Sequence, residues 1–569
     1  MFTFFRFEVF PNLWVCVIKA GKKVHRIIND KGALLRVLSS QKILVGYGNY
    51  KYDDAILWAI LYDKNPYYYS KKIKTGDIDD FLFVKLPYIT LDAMQELANT
   101  PELQEIEAFQ GKAIHDIDID YDRPLTDDRL KELSEFCYRN VSLTEEIFYL
   151  RKEYFETKFE IVQTFNLEPW TLRKSQTGLV GEVLQAKKVE YADRLDILYD
   201  KRLPVHELPR EIIHFYETIR KRWQYGEDAE MLEGLKYNIK IAGVDHRYGF
   251  GGVHGARPDY IGNGLFLHID AKSFYPSLMI NNGFISRACA SPELFKNLYD
   301  TRMKLQAERI PKESIYKLLL NKAFGASKAK TNKMFDARQA NNIAINGQLI
   351  LTHLILVLEP FMELIQSNTD GIIIKYKQET KDYILEIVKR FSEQYELKFE
   401  VKEIERIAQR DVNNYVVRYR DGKIKAVGFM SRHTGGNWSR NHLNIIDIAS
   451  VQYYMEGIEP SRTVIDEYKK GNIEAFQMIV KSGVYDYMAQ ETKEGHMVKL
   501  QRVNRIFAAK ADTFEKVYKV RAGKYTSISD CPDHTIVHNG TLESFDKTQL
   551  NLRFYIDLVE RKLFKESLV

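Results

Sequence analysis

The first part of the chain alternates apolar and polar residues with the period of two that is typical of β-strands. Strand-like runs separated by turn-forming residues cover Phe2–Phe10, Leu13–Ile18 and Ile43–Tyr47. The spacing of apolar residues then predicts a helix near Asp53–Tyr62, and a second one over residues 126–151, which Thr126 can cap. These patterns predict a mixed α and β lobe.

An acidic stretch, His115–Asp122, lies between these two helices and alternates aspartate with apolar residues. On a strand, the alternation places Asp116, Asp118 and Asp120 on one face. Three aspartates on one face resemble a metal site, but a solvated edge strand explains them more simply. We therefore predict an edge strand here.

Residues 150–235 are charged and rich in helix-forming patterns, whereas Gly243–Gly264 is glycine-dense and predicts a loop-like junction. Next comes a buried-strand pattern, Gly264–Ile269, which ends at Asp270. Further patterns predict a helix over Glu313–Phe324, a strand–turn–strand unit over Leu364–Tyr376 and a final helix over Leu550–Phe564. The chain thus combines several α and β segments after its first lobe.

Length and composition narrow the class of protein. A chain of 569 residues is too long for one core, and its 45% hydrophobic and 28% charged residues are typical of globular proteins. The formal charge is only +5, so a nucleic-acid binder of this size would need its basic residues concentrated. One concentration runs from Lys499 to Lys524, although alone it is as typical of a solvated surface.

The four cysteines are far apart and form no CxxC pair, which argues against disulfides and zinc sites and favours a reducing compartment. No uninterrupted apolar run approaches the roughly 20 residues that a membrane span needs. We expect a soluble intracellular protein without membrane contact.

Two aspartates carry the candidate chemistry. Asp270 ends a strand, and Asp370 stands in an Asp-Gly turn, which alone is an ordinary hairpin signal. Together they could hold two Mg²⁺ ions about 3.5–4 Å apart, as phosphoryl transfer requires. On the intervening helix, Lys317 and Asn321 share a face with Gly325, although a glycine there also suits a helix end.

Three segments in this order, His268–Leu278, Lys317–Gly325 and Ser367–Gly371, resemble motifs A, B and C of the family B DNA polymerases, bacteriophage type. The first is similar to D-x-x-S-L-Y-P, with Phe274 in the Leu position. The second is similar to K-x-x-x-N-S-x-Y-G, with Lys322 and Phe324 for Ser and Tyr. The third departs from D-T-D-S, because Asn368 and Gly371 replace its first Asp and its Ser.

The resemblance implies a set of site residues. Catalytic and metal-binding roles fall to Asp270 and Asp370, with the backbone carbonyl of Ala271 as a further ligand of two Mg²⁺ ions, for which Mn²⁺ can substitute. Nucleotide-binding roles fall to Ala271, Ser273, Phe274, Tyr275, Arg302, Lys317 and Asn321. By this match Tyr275 is the steric gate against ribose.

DNA contacts are also implied. Phe250, Gly251 and Gly252 resemble the template-binding Y-x-G-G segment, and Tyr415 resembles the tyrosine of K-x-Y, whose lysine is missing because Asn413 stands there. Lys425 is a candidate substitute for that lysine, and Gly325 leaves room for the base pair. The basic concentration becomes a candidate DNA surface, represented by Lys499, Arg502 and Arg505.

The N-terminal third resembles the ribonuclease-H-like 3′–5′ exonuclease of the same polymerases, but its metal site is degenerate. Glu8 and Asp53 match ligand positions, whereas Arg6 and Asn140 stand where the family has carboxylates. A guanidinium repels a cation and can pair with Glu8. We expect an inactive exonuclease.

The resemblance implies an α+β multidomain fold, a right-hand palm/fingers/thumb polymerase with an N-terminal ribonuclease-H-like exonuclease domain. The predicted domains are 1–150 (exonuclease-like), 151–240 (helical connector), 241–290 (first palm part, motif A), 291–326 (fingers, motif B), 327–430 (second palm part, motif C) and 431–569 (thumb).

The implied activity is template-directed DNA synthesis by a nucleotidyltransferase, with little or no proofreading. Its partners would be primer–template DNA and deoxynucleoside triphosphates, with room for a processivity or replisome partner, and a monomer in the cytoplasm (of the host cell, if viral) is expected. Only 46 residues separate Asp270 from Lys317, which favours nucleic-acid priming over protein priming. Two alternatives stay open, a non-catalytic DNA-binding polymerase relic and a residual 3′–5′ exonuclease.

Overall fold

A computed structural model describes residues 2–77, 85–428, 431, 443–510 and 515–565. The chain is a mixed α+β protein whose buried side chains divide into separate clusters, as expected for several domains. Within the described ranges the strands form four sheets, of five, nine, three and four strands. The predicted boundary between residues 430 and 431 falls beside residues outside these ranges.

The N-terminal sheet has the order β3-β2-β1-β4-β5, in which β2 runs antiparallel to both neighbours and β4 and β5 run parallel to β1. Its lobe consists of β1 Phe2–Val9, β2 Trp14–Ala20, β3 Lys23–Ile28, α1 Lys31–Leu38, β4 Ile43–Gly46, α2 Asp53–Leu61, α3 Pro66–Thr75, β5 Ile89–Asp92, α4 Leu103–Phe109 and α5 Asp127–Leu150. The predicted strands and helices of this lobe are confirmed to within a few residues.

The prediction of an edge strand in the acidic stretch is wrong. Residues 115–120 alternate in exposure, but they form no strand and pair with no strand of the described residues. Two of the aspartates contact C-terminal residues instead. Asp116 accepts a hydrogen bond from the Arg502 backbone N–H, and Asp118 pairs with Lys499.

A helical part follows, and it leads into the largest sheet. The helices are α6 Lys152–Thr164, α7 Gln176–Val183, α8 Arg210–Gln224 and α9 Ala229–Glu233. The central elements are β6 Tyr237–Ile241, β7 Val244–Tyr248, β8 His254–Ala256, β9 Tyr260–Lys272, α10 Phe274–Asn281, α11 Pro292–Ala307, α12 Glu313–Lys328, α13 Ala337–Leu358, β10 Met362–Ser367, β11 Gly371–Tyr376, α14 Lys381–Tyr395, β12 Lys398–Asp411, β13 Asn414–Tyr419 and β14 Ile424–Val427.

The central sheet is antiparallel, in the order β14-β13-β12-β9-β11-β10-β8-β7-β6. The glycine-dense stretch that predicts a loop instead forms β7, β8 and the start of β9. The reason is close packing between strands, because a Cβ at Gly255 would lie 2.7 Å from the His246 ring. The glycine at position 255 thus allows β8 to pair closely with β7.

Helix α13 is the buried centre of this region. Among the described residues, one helical stretch, Ala337–Phe361, is long and apolar enough to cross a membrane, although the sequence alone suggests no such run. Most of it is enclosed by the protein, and its polar side chains bind neighbouring backbone. Asn346, for example, accepts a hydrogen bond from the Asp200 N–H at 2.7 Å. It is therefore a core helix.

The C-terminal part contains two smaller sheets, β15-β18-β21 and β17-β16-β19-β20. Its elements are α15 Asn444–Glu456, α16 Pro460–Lys469, β15 Met478–Lys481, β16 Tyr487–Glu491, β17 Met497–Leu500, β18 Val503–Ala508, β19 Val517–Arg521, β20 Lys524–Ser527, β21 Thr535–Val537 and α17 Leu552–Glu560. The final predicted helix is thus shorter than expected, and Arg561–Lys565 continue it with π-helical hydrogen bonding.

Candidate active site

The central sheet brings Asp270 and Asp370 together. Asp270 lies on β9, and Asp370 lies in the turn between β10 and β11. Because β11 pairs with β9, Gly371 stands opposite Asp270, and the Ala271 N–H donates to the Asp370 carbonyl oxygen at 2.7 Å. Sheet register therefore makes one acidic site from two distant segments.

Gly371 makes this close approach possible. A Cβ at position 371 would lie 2.7 Å from the Ile269 carbonyl oxygen and 2.9 Å from Asp270 Oδ1. No ordinary side chain fits at such distances. The glycine that interrupts the expected motif is thus required by the packing of β11 against β9.

Both carboxylates have a raised pKa, because their surroundings disfavour the charged form. Burial, together with the charge of Asp370, raises the pKa of Asp270 to about 6, and burial also raises the pKa of Asp370. The ammonium of Lys425 opposes both shifts. A pair of desolvated carboxylates favours a bound cation, which would remove this cost.

The donor set suits Mg²⁺ better than a metal that needs a full protein cage. In the part of the chain that the structure describes, no group of three or more His, Cys, Asp or Glu side chains is placed to hold a metal ion. Mg²⁺ is commonly bound by one or two carboxylates plus substrate phosphates. Asp270 and Asp370 fit that pattern.

A cleft of about 850 Å³ opens beside the acid pair. Asn368, Tyr415 and Lys425 contribute to its lining. Tyr415 is buried beneath it, whereas Lys425 is exposed on the edge strand β14, with its Nζ 6.0 Å from the Tyr415 ring centroid. The structure thus places both predicted DNA contacts next to the carboxylates, and their roles stay predictions.

Asn368 shapes the turn that carries Asp370. Its side-chain oxygen accepts a hydrogen bond from the Thr369 N–H at 2.7 Å, and its own N–H donates to the Gly371 carbonyl at 2.8 Å. The amide at this position therefore has a local structural role.

The turn after Asp270 exposes the start of a helix. Ser273 adopts the left-handed conformation, with φ 51° and ψ 39°, and precedes α10. The first N–H groups of a helix have no partner within it and attract anions. Ala271 and Phe274 are buried, so their predicted nucleotide contacts could be made only through backbone atoms.

Tyr275 packs against the helix that carries Lys317. Its ring centroid lies 4.4 Å from that of Phe324 on α12. Gly347 on α13 backs it, since a Cβ there would lie 3.2 Å from Tyr275 Cε1. Sequence reasoning missed Gly347, for which the only signal was a glycine inside an apolar helical pattern.

One face of α12 is exposed and carries Lys317, Asn321 and Gly325. Neither Lys317 nor Asn321 has a side-chain partner among the described residues, and a Cβ at Gly325 would meet no atom within 4 Å. The alternative of a helix end at Gly325 is wrong, because α12 continues to Lys328. Lys328 Nζ donates to the Phe250 carbonyl at 2.5 Å, a contact that the sequence did not suggest.

Arg302 is less available than predicted. Its side chain is 7% exposed, its Nε donates to Glu313 Oε1 at 2.8 Å, and its Nη1 donates to Ser273 Oγ. The guanidinium thus joins α11 to the first turn of α12 and to the turn after Asp270. A phosphate contact would require it to exchange partners.

The Phe250–Gly252 segment contacts the Asp370 turn with its backbone. The Phe250 side chain is buried, with its ring centroid 6.1 Å from that of Tyr216, and the predicted template contact of this segment stays a prediction. Gly251 and Gly252 are half-buried, and a side chain at Gly252 would overlap Thr369.

The predicted DNA contact is wrong for Arg505, whereas Lys499 and Arg502 are exposed and their predicted DNA contacts stay predictions. Arg505 is fully buried and donates to Gln477 Oε1 and to the carbonyls of Gly540, Ala108 and Lys112. Arg502 forms a two-bond ion pair with Glu102, and Lys499 pairs with Asp118. These cations join the C-terminal part to residues 102–118 of the N-terminal lobe.

The degenerate N-terminal site is held together by its own charges. Arg6 Nε donates to Glu8 Oε1 at 2.8 Å, and Asp53 Oδ1 accepts from the Phe7 N–H at 2.7 Å. Burial raises the pKa of Asp53 to about 7, although the Arg6 charge opposes it. Asn140 is buried on α5, and its side-chain nitrogen has no hydrogen-bond partner in the described structure.

Comparison with known proteins adds a distant structural likeness. Neither a protein-family model nor a curated protein matches the chain. Among solved structures, the chain is similar to the family B DNA polymerase of the hyperthermophilic archaeon Pyrobaculum calidifontis, at 12% identity and a TM-score of 0.41, over 100% of this chain and 77% of that one.

Proposed function

We propose that this chain is a template-directed DNA polymerase of family B, bacteriophage type, that adds deoxynucleotides to a primer 3′-hydroxyl. The adjacency of Asp270 and Asp370, imposed by the β9–β11 register, carries the proposal. In this proposal the central sheet is the palm, α11 and α12 are the fingers, the C-terminal part is the thumb, and 1–150 is an exonuclease-like domain.

In this proposal, the residues around the acid pair bind different parts of the incoming nucleotide and of the nascent base pair. Lys317, exposed and without an ion pair in the described chain, would meet the triphosphate of the incoming nucleotide. The first N–H groups of α10 would bind its phosphates. Asn321 and Gly325 would border the nascent base pair, and Tyr275, held against Phe324, would exclude a ribose 2′-hydroxyl.

Asp270 and Asp370 would hold two Mg²⁺ ions, with Mn²⁺ as a substitute. Bound there, the cations would neutralise phosphate charge and lower the pKa of the primer hydroxyl. The protein's own contribution is positioning, which is most of what phosphoryl transfer needs. Lys425 and Tyr415 would orient the primer end from the opposite wall of the cleft.

We further propose that the N-terminal domain does not proofread. The Arg6–Glu8 ion pair supports this, because the guanidinium supplies at that site the positive charge that a metal would otherwise bring. Priming by nucleic acid, a monomeric state and a cytoplasmic location belong to the same proposal, as does a processivity or replisome partner.

A primer-extension assay with a labelled primer, a template, deoxynucleoside triphosphates and Mg²⁺ tests the function. We expect wild type to extend the primer and not to shorten it when nucleotides are omitted. Asp370→Asn should lower extension by roughly 100-fold or more, since it removes a charge that is used in the transition state. Asp245→Asn, at an exposed aspartate on β7, is the matched control.

The alternatives give different results. A folded wild-type protein that binds primer–template without extending it would replace the proposal with a non-catalytic relic. Primer shortening above the level without enzyme would indicate a residual exonuclease.

A further inference from the structure

A series of aromatic rings crosses the surface of α2 and α3 in the N-terminal lobe. The ring centroids of Tyr62 and Trp58 are 5.3 Å apart, those of Trp58 and Tyr69 are 5.7 Å apart, and those of Tyr69 and Tyr68 are 5.3 Å apart. The two outer tyrosines, Tyr62 and Tyr68, are 53% and 51% exposed. We call these four residues the ring series.

Lysines accompany the ring series. Between residues 64 and 76 the chain contains Lys64, Lys71, Lys72 and Lys74 and no acidic residue. Lys71 pairs with Asp122, and Lys74 Nζ lies 4.4 Å from the ring centroid of Tyr121, outside the ring series, whereas Lys64 and Lys72 form no ion pair with any residue that the structure describes. Lys72 Nζ lies 5.2 Å from the Tyr68 ring centroid, so a cation stands over an exposed ring.

The inner residues of this surface are fixed by packing against the lobe, whereas the outer tyrosines are half exposed. Tyr69 and its neighbour Tyr67 pack against the apolar cluster below α2, and the hydroxyls of Tyr52 and Ser70 share a hydrogen bond of 2.7 Å. Asn65 caps the first turn of α3. Because α2 and α3 both pack against the lobe, the side chains of Tyr62 and Tyr68 are held in place while they stay half exposed.

We propose that the ring series, together with Lys64 and Lys72, binds single-stranded DNA. Bases would stack on Tyr62 and Tyr68, and the lysines would meet the phosphates. Aromatic stacking tolerates any base, and exposed lysines add salt-dependent affinity, which together are typical of sequence-independent single-strand binding. The proposal goes beyond polymerisation, because this surface belongs to the N-terminal lobe and not to the central sheet.

The test uses the full chain and a fluorescent oligothymidylate of about twelve nucleotides, with binding followed by anisotropy. Unlabelled primer–template hairpin is present in excess to occupy the cleft beside Asp270. We expect the double variant Tyr62→Ala/Tyr68→Ala to bind the oligonucleotide roughly 10-fold or more weakly. Tyr225→Ala/Tyr383→Ala is the matched control, since those side chains are 89% and 65% exposed elsewhere.

Two further variants separate stacking from charge. Tyr62→Phe/Tyr68→Phe should retain binding, because it keeps both rings. Lys64→Gln/Lys72→Gln should reduce the dependence of log affinity on log salt by about 0.7 for each lysine that contacts a phosphate. Unchanged thermal unfolding of each variant verifies that the lobe remains folded.

The outcomes distinguish this inference from the proposed function. If the alanine double variant binds the oligonucleotide as wild type does, or loses duplex affinity equally, the inference is overturned. Primer extension on a short template, measured in parallel, should be unchanged in that variant. Loss of oligonucleotide binding together with an inactive wild type would support the ring series while contradicting the polymerase.

Discussion

At the scale of single residues, the acid pair combines an electrostatic cost with tight packing. Asp270 has a folded-state pKa of about 6, above its ordinary 3.8, because it is buried beside Asp370. The proton is therefore bound more tightly in the folded state. The associated stability is present at low pH and is lost as the pH rises through about 6.

The raised pKa of Asp270 predicts how the stability of the metal-free protein depends on pH. At about pH 8 Asp270→Asn should raise the unfolding temperature in EDTA, and the difference should become small only near and below the ordinary pKa of 3.8, where the carboxyl is protonated in both the folded and the unfolded state. Mg²⁺ should stabilise wild type at about pH 8 and stabilise the variant much less. Thermal unfolding across pH, with and without Mg²⁺, measures both effects, and Asp245→Asn should show neither. An Asp270→Asn variant that is less stable at high pH would contradict the assignment.

Two glycines of the site should respond to alanine with opposite signs. Gly371→Ala places a Cβ 2.7 Å from the Ile269 carbonyl and should destabilise the protein by about 1–3 kcal/mol. Gly325→Ala meets no atom and should stabilise α12 by about 0.5–1 kcal/mol, while lowering primer extension if a base pair lies there. Denaturant unfolding of both variants, with extension assays, tests the pair. Equal stabilities would argue against the close approach of β11 to β9.

At the scale of elements, α11 and α12 are joined to the turn after Asp270 through one buried cation. Arg302 contacts Glu313 and Ser273, and the Glu313 side chain is only 20% exposed. The carboxylate of Glu313 thus forms an ion pair with Arg302, and a triphosphate would have to replace it in order to bind the same guanidinium. Nucleotide binding and helix position are expected to be coupled here.

Glu313→Gln should therefore lower KM for deoxynucleotides, by roughly five-fold, because a charge-assisted hydrogen bond no longer competes for Arg302. Arg302→Gln should raise KM. Steady-state extension kinetics give both values, with Glu308→Gln, an exposed carboxylate at the end of α11, as control. A higher KM in Glu313→Gln would instead mean that the ion pair serves only to position the helices.

At the scale of the whole molecule, the N-terminal lobe and the C-terminal part are bound to each other. Arg505 on β18 donates to the carbonyls of Ala108 and Lys112, and Lys481 on β15 pairs with Glu105 on α4. The Ile114 N–H also donates to the Asn539 carbonyl at 2.8 Å. The N-terminal lobe thus supports the C-terminal sheets, which gives it a structural role independent of nuclease activity.

Arg505→Met should destabilise the protein by about 3 kcal/mol or more, since it leaves several buried acceptors without a donor. Arg502→Met, at a side chain that is 57% exposed, should cost less than about 1 kcal/mol. Unfolding midpoints of the two variants give the comparison. Similar midpoints would show that the buried guanidinium is not needed for the contact between the lobes.

Much of the local structure could be predicted from sequence, because it depends on nearby residues. The alternation in Phe2–Phe10, the helix that begins at Asp127 and the hairpin around Asp370 all formed close to their predicted bounds. The order of the three motifs also identified Asp270, Asp370, Lys317 and Asn321 as candidates before any geometry was known. The strands, helices and turns rest on periodicity, turn chemistry and residue type, whereas the four candidate residues rest on the resemblance of the motifs to those of a known family.

Other features depend on partners far away in the chain, so the sequence alone misassigned them. Arg505 was predicted to contact DNA, yet it is buried and donates to the carbonyls of Ala108 and Lys112. The glycine-dense stretch 243–264 was predicted to be a loop, yet it forms strands because other strands pair with it.

The sequence by itself thus determined which residues are candidates for the chemistry and where most of the strands and helices lie. Only the tertiary structure decided that β9 and β11 pair in the register that joins the two aspartates, and that Lys499 and Arg502 pair with Asp118 and Glu102. The physical reason is that burial and charge pairing are set by contacts between distant segments, which local patterns do not encode.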